Sequence, residues 1–114
     1  MEKCIFCKIA SHEIGSNVVF EDEKLVAFKD INPAAPVHIV IIPKAHITGV
    51  LALREKDKEL IGDIILAARK IAGEFGIAED GFRIVTNSGP NAGQSVAHLH
   101  FHLLGGRTLG WPPG

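Results

Sequence analysis

The 114-residue chain carries twelve Lys plus Arg against thirteen Asp plus Glu, a formal charge of -1, and 46% apolar residues. That length predicts one domain over residues 1–114 with a core of its own, and the near-neutral balance disfavours nucleic-acid binding because no cationic field faces a phosphate polymer. No apolar run approaches the ~20 residues of a membrane span, so no membrane partner is expected. Met1–Lys3 opens no signal-like segment, and two cysteines, Cys4 and Cys7, are too few to staple a secreted miniprotein. A cytoplasmic setting is expected.

In chain order, 17–21 and 25–29 are short runs rich in Val, Phe and Leu, separated by Asp22-Glu23-Lys24, and predict a hairpin. Pro33 and Pro36 mark a connection, after which the nearly continuous aliphatic run 37–42 predicts a central strand covered on both faces. From about Lys56 the period changes. Leu60, Ile61, Ile64, Ile65, Ala68, Ile71, Ala72 and Phe75 recur at three-to-four spacing, which predicts an amphipathic helix closed by Gly76. A fourth strand is predicted over 82–86, a polar Gly-bearing loop over 87–95, a fifth strand from about Val96 to Leu104, and an irregular tail at 110–114. Strands in succession with one inserted long helix predict an α+β fold with an antiparallel sheet.

Half of the six histidines fall in His98-Leu99-His100-Phe101-His102. In extended chain alternate side chains share a face, so the imidazoles should line one side while Leu99, Phe101 and Leu103 enter the core. Near neutrality one ring can serve as nucleophile or base while a neighbour donates a proton. The loop before them offers backbone amides, the Asn87 amide and the Ser95 hydroxyl, neutral donors suited to phosphate oxygens. Ser95 lacks a nucleophile-elbow context, and no P-loop pattern is present.

The segment His98 to Leu104 matches the His-φ-His-φ-His-φ-φ signature, and nearly the whole chain resembles the nucleotide-binding HINT branch of the histidine triad (HIT) superfamily. Supporting stretches are 28–31, 35–38, 42–46, 93–96, and Gly105-Gly106-Arg107 through the Trp111-Pro112-Pro113-Gly114 ending. The resemblance implies a five-stranded antiparallel sheet with one long helix and a short N-terminal helix, the sheet continuing across a homodimer. It also implies a purine nucleoside phosphoramidase that cleaves AMP–amine P–N bonds through a nucleotidyl-histidine, with no organic cofactor.

By matching position, His100 would be the nucleophile, His102 and His38 would hold the phosphate and assist proton transfer, and His98 would orient the cluster. Asn87, Gly93, Gln94 and Ser95 would contact the phosphate and leaving group, and Asp30 the ribose hydroxyls. Ile31, Phe6 and Ile9 would flank the base, although core packing is the simpler expectation for Phe6 and Ile9. Trp111 would act at the dimer partner's site and bear on substrate choice. Dinucleoside polyphosphate hydrolases and nucleotidylyltransferases share the triad.

Cys4-Ile5-Phe6-Cys7 is half of a zinc site, and His46 and His98 are candidates for the other ligands. Some members of the superfamily carry a structural zinc on an equivalent set; a pair of free or redox-active thiols is the alternative. Two rival classes remain open: a zinc hydrolase using His98, His100 and His38 on a catalytic ion, and a nucleotide-binding module without turnover.

Overall fold

The computed structural model describes residues 4–114; the amino-terminal reading made for Met1–Lys3 lies outside the described residues. The elements run α1 (Ile5–Ala10), β1 (Val18–Glu21), β2 (Leu25–Lys29), β3 (Val37–Pro43), α2 (Lys58–Glu74), β4 (Phe82–Val85) and β5 (Phe101–Gly105). They form one five-stranded sheet in the order β1-β2-β3-β5-β4, with every adjacent pair antiparallel. The architecture is the α+β antiparallel sheet with one long helix that the sequence pattern predicts, together with the short N-terminal helix that the resemblance implies. No helix among the described residues is long and apolar enough to cross a membrane.

Local chemistry explains most of the boundaries. The β1–β2 turn is closed by the Asp22 carboxylate, whose Oδ1 accepts from the Lys24 and Leu25 amides, both at 2.8 Å. The long helix starts two residues later than its periodicity suggests because residues 55–57 form a 3-10 turn leading into it. Gly76 follows its end at φ 72°, a left-handed position that glycine takes without a Cβ penalty.

Both faces of the sheet are covered, which is why β2 and β3 read as continuous apolar runs. On one face Leu25, Ala27, Ile39, Ile41, Phe101 and Leu103 pack against Ile64, Ala68 and Ile71 of α2. On the other, Val26, Phe28, Val40 and Ile42 pack with Ile9 and Phe6 of α1. Burying each such large aliphatic side chain contributes roughly 1.5–3 kcal/mol against the ordering cost of the chain.

The fifth strand is shorter than expected: it spans Phe101–Gly105 instead of beginning near Val96. The reason lies in the backbone partners. The Leu99 N–H donates to the Ile47 carbonyl, outside the sheet, at 2.6 Å, while the carbonyl of His98 accepts from the His100 ring and that of His100 from the Thr86 hydroxyl at 2.8 Å, so this segment bonds locally and not to a neighbouring strand. Residues 98–100 nevertheless keep the in-and-out alternation, with Leu99 in the helix-side core beside Phe101 and Leu103.

Candidate active site

Register and alternation together build the site. Val40 opposes His102 and His38 opposes Leu104 in the β3–β5 pairing, so His38 and His102 share the α1 side of the sheet, one step apart across the strands. Their rings meet at 5.1 Å between centroids, and those of His102 and His100 likewise at 5.1 Å. Phe6 of α1 stands edge-on to His100 at 5.0 Å and to His98 at 5.9 Å. His38, His102 and His100 thus form a continuous row along one face, and the Phe6 ring links it to His98.

Hydrogen bonds fix the tautomers. His100, 3% exposed, directs Nδ1 at the carbonyl of His98 at 2.7 Å. A carbonyl oxygen only accepts, so Nδ1 carries the proton and the neutral ring presents a bare Nε2. His38 is set from the opposite side: the Ala34 N–H donates to its Nδ1 at 3.0 Å, which leaves the proton on Nε2. That Nε2–H donates to Nδ1 of His102 at 2.9 Å, and neutral His102 therefore carries its own proton on Nε2. One ring offers a lone pair and its neighbour offers an N–H.

Burial favours the neutral form of His38 and His102. Burial, reinforced by His100 and His38 and opposed by Asp30, lowers the pKa of His102 to about 4. Burial also lowers that of His38, against the opposing pull of the Asp30 carboxylate. Asp30 Oδ2 lies 3.4 Å from His38 Nε2, while its Oδ1 accepts from the Asn32 amide at 2.8 Å, so one oxygen closes the turn and the other faces the relay.

The remaining expected contacts fall into two groups. Ile31 is 91% exposed beside Asp30, and Phe6 touches the triad, whereas Ile9 lies in the α1-side core with Val26 and Phe28. In the loop, Asn87 is half-buried and Ser95 exposed, and Gly93 takes φ 79°, the left-handed conformation that ends the 3-10 turn at 90–92. Gln94 is occupied by the backbone: its Oε1 accepts from Gly89 N–H at 2.9 Å and its Nε2 donates to the carbonyls of Thr48 and Val96 at 2.8 and 3.0 Å. It braces the loop. A cavity of about 440 Å³ opens beside Gln94 and Ser95, walled by Thr48, Gly49, Leu51, Ala52 and Ala97. Trp111 is 82% exposed, and its neighbour Gly110 is tied to the sheet by the Arg83 guanidinium at 2.8 Å.

A second cluster lies at the far end of the row. Nδ1 of His98 is 3.4 Å from Cys4 Sγ and 3.5 Å from Cys7 Sγ, and Nδ1 of His46 is 3.1 Å from Cys7 Sγ. Zinc bonds of ~2.3 Å to sulfur and ~2.0 Å to nitrogen give a tetrahedral S···N edge of about 3.5 Å. The His98 Nε2–H donates to the Pro43 carbonyl at 2.8 Å, which leaves Nδ1 unprotonated and aimed at the two sulfurs, as a metal ligand requires. All four donor atoms lie within 4.8 Å of one another, so this set fits tetrahedral zinc. The trio His98, His100 and His38 considered for a catalytic ion is not gathered: His98 belongs to the cysteine cluster and His100 Nδ1 to a carbonyl.

Several working parts carry no signal in the sequence. The Pro43 and His98 carbonyls and the Ala34 amide are backbone groups, and Thr86 reads as an ordinary strand residue until its hydroxyl is seen on the His100 carbonyl.

The chain is 52% identical to a 14 kDa zinc-binding protein of Zea mays over 96% of its length and 87% of that protein's. It is 51% identical to the adenylylsulfatase HINT1 of Arabidopsis thaliana over 96% of this chain and 76% of that one. The fold superposes on a HIT family hydrolase from Legionella pneumophila Philadelphia 1 with a TM-score of 0.97 at 49% identity, covering 98% of this chain and 100% of that one. Residues 11–109 match the HIT domain, and the chain belongs to that family.

Proposed function

We propose that the protein is a purine nucleoside phosphoramidase that hydrolyses adenosine 5'-phosphoramidates through a nucleotidyl-histidine on His100. The observation that carries this reading is the His100 Nδ1 contact to the His98 carbonyl at 2.7 Å, which leaves Nε2 bare in a buried ring. In the first step Nε2 attacks phosphorus and the P–N bond breaks, the departing amine taking its proton from water. The cationic intermediate keeps its Nδ1–H on the His98 carbonyl, whose partial negative charge stabilises it. Water then adds to phosphorus, giving its proton to the hydroxide left by the first step, the P–Nε2 bond breaks, and AMP leaves.

His102 supplies a neutral Nε2–H to a phosphoryl oxygen, its direction set by His38. Asn87, Gly93 and Ser95 donate to the same phosphate or to the leaving group, in a loop braced by Gln94. Asp30 Oδ2 accepts from the ribose hydroxyls in place of its long contact to His38, Ile31 and Phe6 flank the base, and Ile9 supports Phe6 from the core. Zinc on Cys4, Cys7, His46 and His98 would be structural, tying α1 to the sheet; when bound it supplies cross-linking and no step of the reaction. The chain acts in the cytoplasm as a homodimer. Two exposed features support the dimer: β4 is an edge strand with Phe82 37% exposed, and Trp111 is uncovered.

A second reading is favoured by the Arabidopsis thaliana relative, named an adenylylsulfatase. The same triad would transfer AMP from sulfate, since the leaving group alone differs. The test is a hydrolysis screen of adenosine and guanosine phosphoramidates, adenylyl sulfate and dinucleoside polyphosphates, with His100→Ala alongside. The account expects fastest turnover with an adenosine phosphoramidate. It expects the variant to fold and bind AMP yet lose hydrolysis by roughly three or more powers of ten. Turnover confined to adenylyl sulfate selects the second reading, turnover confined to dinucleotides selects a dinucleoside polyphosphate hydrolase, and none on any substrate leaves a binding module.

A further inference from the structure

The relay from Ala34 through His38 to His102 depends on a segment without regular structure, residues 30–36, and its middle is held from outside. The Arg107 guanidinium forks between two carbonyls: Nη2 donates to Ala34 at 2.9 Å and Nη1 to Thr108 at 3.0 Å. No carboxylate among the described residues lies within ion-pairing distance of it, so its fork is committed to backbone oxygens. The neighbouring glycine adds a steric hold: a Cβ on Gly106, at φ 95°, would lie 2.8 Å from Pro36 Cβ, so the segment after β5 presses directly on the loop. At the loop's start the Asp30 N–H donates to the His38 carbonyl at 3.0 Å, which fixes the ends and leaves Arg107 as the side chain gripping Ala34.

We propose that Arg107 is a positioning residue for the imidazole relay: by gripping Ala34 it keeps the Ala34 N–H on His38 Nδ1 and so fixes which nitrogen of His38 and His102 bears the proton. This rests on the reading of His102 as the phosphate's N–H donor. Without the grip the loop relaxes, Ala34 N–H turns to water, and His38 is free to carry its proton on Nδ1. His38 Nε2 then accepts instead of donating, the Nδ1 of His102 becomes the protonated atom, and its Nε2 no longer offers a hydrogen to the phosphate. The charged or titratable groups facing His38 are Asp30 from the end of β2 and His102 from β5, with His100 beyond. Lys29 points away, over the Phe75 ring at 5.7 Å, and α1 contributes the uncharged Phe6. Asp30 also favours a proton on His38 Nε2, but its 3.4 Å contact is longer than the 3.0 Å one by which the Ala34 N–H occupies Nδ1, so the Ala34 amide is the tighter constraint.

The test compares wild type with Arg107→Gln and Arg107→Lys by long-range proton–nitrogen correlation of the histidine rings near pH 8, where His38 and His102, both with lowered pKa, are neutral. Steady-state kinetics on an adenosine phosphoramidate run alongside, in about 0.5 M salt so that a lost exposed charge is screened. Wild type should show His38 protonated on Nε2 alone. Arg107→Gln should add a population protonated on Nδ1 and lower kcat by about 5- to 20-fold with KM within about twofold. Arg107→Lys, which keeps the charge but lacks the fork, should show the same ring signals and a smaller loss of kcat, and it serves if the Gln variant unfolds. Variants whose His38 signals or kcat match wild type overturn the proposal. Wild type that releases no AMP from any adenylate refutes the underlying reading of the site, while the ring signals still report whether Arg107 sets the tautomer.

Discussion

Three imidazoles of the row have their reactive nitrogen chosen by the backbone atom that holds the other one, and His102 takes its own from the His38 ring. The His98 carbonyl faces His100, the Ala34 amide faces His38, and the Pro43 carbonyl faces His98. The His-x-His-x-His spacing showed that the rings would share a side, but these tautomers were unreadable because they depend on partners such as Pro43, 55 positions from His98. The neutral relay has a consequence for stability. His102 titrates near 6.5 when unfolded and at about 4 when folded, so its folded pKa is depressed. The unfolded chain therefore takes up a proton that the folded chain refuses, and stability present above pH 6.5 is lost as pH falls toward 4. Chemical denaturation should show roughly 2 to 3 kcal/mol less stability at pH 4 than at pH 7 from this ring. A His102→Asn variant should have a correspondingly flatter profile; an equal slope in both would contradict the assignment.

Among the elements, β2, β3 and α2 could be read closely because burial on both sheet faces and a three-to-four apolar period leave unambiguous patterns. The fifth strand is shorter than its alternation implies because alternation reports extended backbone, not ladder pairing, and the Leu99 amide here bonds to the Ile47 carbonyl outside the sheet. The short helix α1 is the element most dependent on a second contribution. It has six residues, too few to stand alone, and buries Ile9 while presenting Cys4 and Cys7 to His46 and His98. Protein purified without added metal should hold near-stoichiometric zinc, and a strong chelator should lower its unfolding midpoint by several degrees, roughly 1 to 3 kcal/mol. Hydrolysis below that temperature should persist at more than about half its rate, since no step runs through the metal. Absence of zinc with both thiols freely titrating would remove the site, and abolished turnover in a still-folded chelated protein would favour the catalytic-ion alternative.

At the scale of the molecule, one sheet divides a packing side, covered by α2, from a chemical side to which α1 contributes Phe6. The strand order puts β5 beside β3, and so joins His38 to His102 across 64 positions of sequence. What the sheet leaves uncovered is the tail: Trp111 stands 82% exposed beyond the Arg83 contact to Gly110. Its role belongs to the homodimer proposed above. Deleting residues 110–114 should shift the ratio of kcat/KM between two leaving groups by about fivefold or more while moving the unfolding midpoint by less than about 2 °C. An unchanged ratio would assign the tail no part in substrate choice.

The central claim is the covalent role of one nitrogen, and rapid quenching with intact-mass analysis tests it most directly. Wild type mixed with an adenosine phosphoramidate and stopped in alkaline denaturant should carry one AMP per chain, mapped by fragmentation to His100 and missing from His100→Ala. Full turnover with no adduct on the histidine, or hydrolysis retained by His100→Ala, would contradict it.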